Sequence, residues 1–384
     1  MKNYPLWKIF VVFILLSLGI IFAIPSLLYK EDTGSWYLDN RLNLGLDLQG
    51  GSYLLLEVQT DVLIKEEFEN FSDTVRIISR ENRVKINNID KQNDVLKVRF
   101  DNSEKLNTIR EEFLKNYRSV TFSITNNIAS ISIDDIYEKS IQDGAIKQSL
   151  EIVRKRIDES GTKEPLIQRS GRDRILLQLP GVKDPERIKD LLGKTAKLNF
   201  HMVDDDDTKS LSLNIAPFGR MIVSDISNEE IKYLLEKKSR VGGENLIDAY
   251  ASFDPTEGHA VSFRFDTTGA QKFGKATSEN IGKRFAVVLD GVVITAPVIN
   301  SAITGGAGII TGNFTSQEAT DLAVLLRAGA LPAPLEIVEE RSVGPGLGAD
   351  SIAAGKIASI IGLILVCIFM VLIYCIISFY IVIF

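Results

Sequence analysis

Two charge-free apolar stretches, one at each end, limit what this chain can fold into more than any other feature. Ile9–Tyr29 lies between Lys8 and Lys30 without a charged residue, and Ile357–Phe384 carries neither charge nor proline. A helix needs about 20 apolar residues to cross a hydrocarbon core ~30 Å thick. Both stretches therefore read as transmembrane helices, placed at 9–29 and 352–384. A cleaved signal peptide fits the first one poorly, because Ala23-Ile24-Pro25 would put a proline at the cleavage position. Lys2 and Lys8 assign residues 1–8 to the cytoplasm. Two spans return both ends to one side and leave 30–356 on the other.

Composition then removes whole classes of function. The 384 residues hold 44 Lys and Arg against 50 Asp and Glu, a net charge of −6, so no basic surface marks a nucleic-acid partner. The two histidines, His201 and His259, are too few for multi-histidine metal sites. The two cysteines, Cys367 and Cys375, lie in the final apolar stretch, which excludes a disulfide scaffold, thiol catalysis and cysteine zinc sites from the polar block. A cysteine-free block also suits a non-cytosolic side.

Between the spans, short strands and helices alternate in an order that recurs. Tyr53–Val58, a helix at 61–80, strands at Val84–Ile89 and Val95–Phe100, a helix at Ser103–Tyr117 and a strand at Ser119–Ile124 give βαββαβ, the ferredoxin-like order. A second unit opens at Ile131 and Ile133 and continues with a long helix striped by Ile146, Leu150, Val153 and Ile157 and stopped at Gly161. Strands at Leu166–Gln168 and Ile175–Leu179, a helix capped by Asp184 with Pro185 at its first position, and a strand at Ala196–Met202 complete it. A third unit runs from Val261 through a helix at 269–281 and a hairpin turning on Asp290-Gly291. It then takes a helix opened by the capping box Thr315-Ser316-Gln317-Glu318 and closes with Leu335–Val338. The fold class expected is thus α+β, with repeated βαββαβ units in a large extracytoplasmic domain between two membrane helices. Residues 30–203 and 259–351 form the base, and 204–258 is an inserted subdomain with its own helix at 228–238. The run Asp204-Asp205-Asp206-Asp207 reads as a solvated loop, since the spacing of a calcium loop is missing.

A search for chemistry returns little. Gly306-Ala307-Gly308 precede Ile309-Ile310-Thr311, and Gly312 is followed by Asn313 and Phe314 rather than the Lys-Ser/Thr of a phosphate loop, so they mark a turn or bulge. Asp47 has no second carboxylate, histidine or nucleophile beside it, and its side chain is expected to fix a turn. No catalytic, cofactor-binding or metal residue emerges, and the chain reads as a non-enzyme.

Several stretches resemble one family closely. These are Gly45-Leu46-Asp47-Leu48-Gln49-Gly50-Gly51, Arg156-Ile157-Asp158, Leu179-Pro180-Gly181 and Lys194-Thr195-Ala196-Lys197-Leu198. They continue with Val288-Leu289-Asp290-Gly291, Ala296-Pro297-Val298-Ile299, Leu325–Leu335 with Arg327, Gly329 and Pro332, and Val343–Ser351 with Gly344, Pro345 and Gly348. Over about 41–374 the chain resembles the SecD family, the membrane-anchored accessory subunits of the bacterial Sec translocase, in the SecD/SecF group of the resistance–nodulation–division superfamily.

The resemblance implies an inner-membrane, multi-pass protein with its large domain in the periplasm. The partners implied are SecF, the SecYEG channel with SecA, YajC and YidC, and emerging unfolded polypeptide, with no cofactor. Its function would be late translocation driven by the proton-motive force through movement of a head, placed at 204–258. Hinges are expected near Val203–Asp204 and Asp254–Gly258. The family has six spans with a proton-carrying acid in a later one. Neither apolar stretch here holds an Asp, Glu, Lys, Arg or His, so the chain reads as a truncated form without the relay. A two-span anchored binding or scaffold module without transport activity is the alternative.

Overall fold

The computed structural model describes residues 6–27, 45–92, 94–162, 164–182, 184–205, 207–343 and 345–383. It divides into two units, 1–51 with 343–384, and Ser52–Ser342.

The first unit is helical. It holds α1 (Leu6–Leu27), a single turn α2 (Leu46–Gln49) and α10 (Pro345–Ile383), with α2 against α10. Helix α10 opens on a proline, tolerated there because the first-turn N–H has no helical partner. Among the described residues one helical stretch is long and apolar enough to cross a membrane, Asp350–Cys375, with a mean hydropathy of 3.0. The expected pair of spans is therefore met at one end. In α1 the described apolar stretch is Phe10–Gly19, shorter than a ~30 Å core requires, and the flanking side chains of Ile9 and Ile20 lie outside the described residues.

Among the described residues, the sheets belong to the second unit, save the end residues Gly51 and Val343 of two strands. In order come β1 (Gly51–Val58), α3 (Thr60–Glu81), β2 (Ile86–Gln92), β3 (Val95–Phe100), α4 (Leu106–Asn116), β4 (Val120–Thr125) and β5 (Ile128–Ile133). Then follow α5 (Asp135–Glu159), β6 (Leu166–Ser170), β7 (Arg174–Pro180), α6 (Pro185–Gly193), β8 (Leu198–Met202) and α7 (Thr208–Leu213). The rest is β9 (Arg220–Ser224), β10 (Lys232–Glu236), β11 (Val241–Gly242), β12 (Leu246–Asp254), β13 (Gly258–Phe265), α8 (Thr267–Glu279), β14 (Phe285–Leu289), β15 (Val292–Thr295), β16 (Ala307–Phe314), α9 (Ser316–Ala328) and β17 (Leu335–Val343).

The expected elements are largely present, but their partners differ from the expected repeats. The sheets run β17-β1-β7-β6, β2-β3-β5-β4, β11-β8-β14-β15 and β12-β13-β16, with β9 and β10 as a separate pair. Strand β1, expected to open the first unit, lies between β17 and β7. Strand β5, expected to open the second, closes on β4 instead. The cause is local. Asn126-Asn127 joins β4 to β5 as a two-residue hairpin loop, and Asn126 takes φ 57°, a left-handed conformation that asparagine tolerates. The first four-stranded sheet is thus assembled from segments far apart in sequence. The β2-β3-β5-β4 sheet has its own core of Phe68, Phe71, Phe100, Phe113 and Phe122.

The 204–258 segment is also corrected. The helix expected at 228–238 is strand β10, paired antiparallel with β9 from Lys232↔Ser224 to Glu236↔Arg220. Its Glu, Leu and Lys content suits a helix. Yet Leu234 and Leu235 are both fully buried, and Leu235 packs with Val203, Val223 and Val293. Nor is the segment a separate lobe, because β11 pairs with β8 and β12 pairs with β13 along its full length. The acidic run makes contacts while Asp205 stays exposed: Asp204 pairs with Arg220 at 2.9 Å, Asp205 with Arg284 at 3.3 Å, and Asp207 caps α7. Asp206 lies outside the described residues.

The main core joins β1, β7, α5, α6, β8, β13, α8 and α9 through residues such as Leu54, Leu56, Ile175, Leu177, Phe200, Phe263 and Leu325. The chain passes between the β17-β1-β7-β6 sheet and the sheets of β8–β16 at two places. One is the α6–β8 connection at 194–197, and the other is the α9–β17 connection at 329–334.

Candidate functional site

The two crossings meet at one buried arginine. Arg156 lies near the C-terminal end of α5, on the face that also buries Ile152, Val153 and Ile157, and is 0% exposed. Its Nη1 donates to the carbonyls of Leu191 at 2.7 Å and Lys194 at 2.5 Å. Its Nη2 donates to those of Thr195 at 3.1 Å and Gly329 at 3.2 Å. Local structure explains why these carbonyls are free. Leu191 lies in the last turn of α6, and Gly329 is the C-terminal cap of α9, with φ +93°. The last four carbonyls of a helix have no helical donor, and the C-terminal end carries about half a negative charge. Arg156 is therefore compensated by two helix ends. Burial lowers its pKa to about 10, opposed by the carboxylate of Asp290. Its Nε is buried without a partner.

Asp290 holds the same segment from the other side. With Gly291 it turns the β14–β15 hairpin at φ 50° and 84°, the left-handed pair that such a two-residue turn requires. Its carboxylate accepts from the N–H of Ala196 at 2.9 Å, the N–H of Lys197 at 2.8 Å and the hydroxyl of Thr195. Ala196 is held at φ 59°, a conformation that costs a non-glycine residue about 1–2 kcal/mol. The Leu331 N–H donates to the Thr195 carbonyl at 2.8 Å and ties in the second crossing.

Four of the stretches singled out in the sequence thus converge: Arg156-Ile157-Asp158, 194–198, Val288–Gly291 and Leu325–Leu335. Arg327 pairs with Glu159, three residues beyond Arg156, at 3.1 Å, and Pro332 sits between the fully buried Leu331 and Ala333. The others lie apart from this node. Pro180 ends β7, followed by Gly181 at φ 65°, and the Pro297 carbonyl accepts from Phe285 at 2.9 Å. Gly45 caps α2, while Gly50 and Gly51 take φ 72° and 138° where β1 begins. Asp47 is within α2 but its side chain, like Gly344, lies outside the described residues; Pro345 and Gly348 belong to α10. His201 is buried, with Nδ1 at 2.8 Å from the Glu236 carbonyl, and His259 packs edge-on against Phe253. Gly312 falls at a bulge, where the β13–β16 register jumps from Phe314 to Thr311.

Nothing at this node activates a nucleophile or moves a proton to a reacting atom. It fixes backbone within an α+β domain, in a chain that also carries a long hydrophobic helix. The comparisons give that class its family. Residues 220–333 match the profile of the SecDF P1 head subdomain, 146–205 that of the N-terminal part of the SecDF P1 domain, and 39–62 that of the SecD/SecF GG motif. The chain is 42% identical to protein translocase subunit SecD of Rickettsia conorii over 97% of its own length and 72% of the relative. To SecD of Rhodobacter capsulatus it is 37% identical, over 99% and 76%. A crystal structure of SecDF in a super-membrane-facing form aligns with a TM-score of 0.50 and 27% identity, covering 94% of this chain and 38% of that one. The chain belongs to the SecD family of protein translocase subunits.

Proposed function

We propose that this chain assists the late stage of protein export across the inner membrane, its large domain on the periplasmic side. Residues 220–333 act as a head that turns against the β17-β1-β7-β6 sheet and holds or draws emerging polypeptide. The observation that carries the reading is the joint itself, two chain crossings brought to one point by Arg156 and Asp290. The positions first expected to hinge lie beyond these crossings, within the pairings of β8–β13. Val203 and Asp204 are bonded to Arg284 and Leu234, and Asp254 and Gly258 pair with each other at the end of the β12–β13 ladder.

The working complex we infer is multi-pass, with SecF beside the SecYEG channel, SecA, YajC and YidC. Energy comes from the proton-motive force through groups outside this sequence. Ile9–Tyr29 and Ile357–Phe384 contain no Asp, Glu, Lys, Arg or His to carry a proton in the membrane. The test is a hybrid in which this sequence continues into the later part of Rickettsia conorii SecD, expressed in cells depleted of their own SecD. Untranslocated precursor should fall to the level of undepleted cells. Precursor that stays high with the hybrid inserted beside SecF would overturn the reading.

A further inference from the structure

We propose that Arg156 and Asp290 form a two-sided latch on residues 194–197, which holds the head to the base sheet at both crossings and must open before the head can turn. The inference rests on the reading of 220–333 as a moving head and names the residues that regulate that movement.

The argument is geometric. A body joined to another by two chain segments turns by changing backbone angles in those segments, and a few positions usually absorb the change. Here the first segment is held on both its polar sides. Arg156, from the base helix α5, takes the carbonyls of Lys194 and Thr195. Asp290, from the head hairpin, takes the N–H groups of Ala196 and Lys197. The second segment is fixed by the same arginine at Gly329 and by Leu331 on Thr195. Each residue of 194–197 holds at least one bond to the buried guanidinium or to the Asp290 carboxylate. Two ion pairs also span the joint, Arg187–Asp321 at 2.7 Å and Arg327–Glu159 at 3.1 Å, but they are partly exposed and contribute little. The two bodies also share the main core, and within it the buried latch fixes the two backbone crossings. Because most of its bonds converge on 194–197, and the Leu191 and Gly329 carbonyls hang on the same guanidinium, it opens as a unit.

The test uses the full chain in detergent, with Cys367→Ser and Cys375→Ser, and spin labels at Lys147→Cys on α5 and Lys275→Cys on α8, both exposed. The reference protein should give one narrow distance distribution. Asp290→Asn and Arg156→Met should each widen it at least twofold, and the double variant should be no wider than Arg156→Met alone. Val153→Ala, which removes buried volume on the same helix without touching the latch, should lower the melting temperature and leave the width unchanged. If Arg156→Met does not fold, Asp290→Asn and Thr195→Val carry the test. An unchanged width in Asp290→Asn, or equal widening in Val153→Ala, would overturn the proposal. No translocon is present in this measurement, so the latch can fail while the export reading stands, and the reverse.

Discussion

Arg156 shows how a charge is kept inside a protein by backbone. Its hydrogen bonds go to the carbonyls of Leu191, Lys194, Thr195 and Gly329, two of which are helix ends. Removing the guanidinium takes the donor from those carbonyls, of which Thr195 keeps the Leu331 N–H, and leaving buried acceptors unsatisfied costs about 1–3 kcal/mol. Arg156→Met should lower the unfolding free energy by that amount in urea titration. Arg156→Lys should lower it by less, because one ammonium reaches fewer of the four carbonyls. His201 gives a pH signature. Burial lowers its pKa from the ordinary 6.5, against the opposing pull of the Glu236 carbonyl. Between its folded pKa and 6.5 the unfolded state binds more protons, so stability rises with pH there. Its contribution is complete above 6.5 and is lost as pH falls through the folded value. The unfolding midpoint should therefore drop on acidification below 6.5, and His201→Gln should flatten that part of the profile.

At the scale of elements, what could be read from the sequence was what is encoded locally. Asp184 accepts from the Arg187 N–H with Pro185 at the first helical position, and the Thr315–Glu318 capping box is closed in both directions. These signals lie within one turn of chain. The partner of β5 and the identity of β10 depend on distant strands. The Asn126-Asn127 turn was the one local clue to the first, and nothing local distinguished Lys232–Glu236 from a helix. The node was legible only in pieces. Arg156 stood in a recognisable stretch, but its contact with Gly329 spans 173 residues. Asp290 was expected to turn a hairpin, which it does, while its bonds to Ala196 and Lys197 had no sequence signal. Two local devices can be tested directly. Gly291→Ala, at φ +84°, should cost about 1–2 kcal/mol. Thr315→Ala should cost about 1 kcal/mol by uncapping α9. Both are read from chemical unfolding of the full chain.

At the scale of the whole molecule, the head is larger than the polar insertion that first suggested it. Its profile spans 220–333, and the strands of 204–258 are woven into sheets with β8 and β13. On the proposed reading, movement takes place at 194–197 and 329–334, where the chain leaves and rejoins the β17-β1-β7-β6 sheet. The most direct measurement locks that joint in the hybrid with Rickettsia conorii SecD. Arg187→Cys and Asp321→Cys replace an ion pair between α6 and α9. A short bis-methanethiosulfonate reagent then bridges the two thiols and is released by reductant. The double variant should export normally before bridging, accumulate untranslocated precursor when bridged, and clear it after reduction. Precursor that stays at the unbridged level, with the bridge shown to be complete on a gel, would contradict a role for head movement in export.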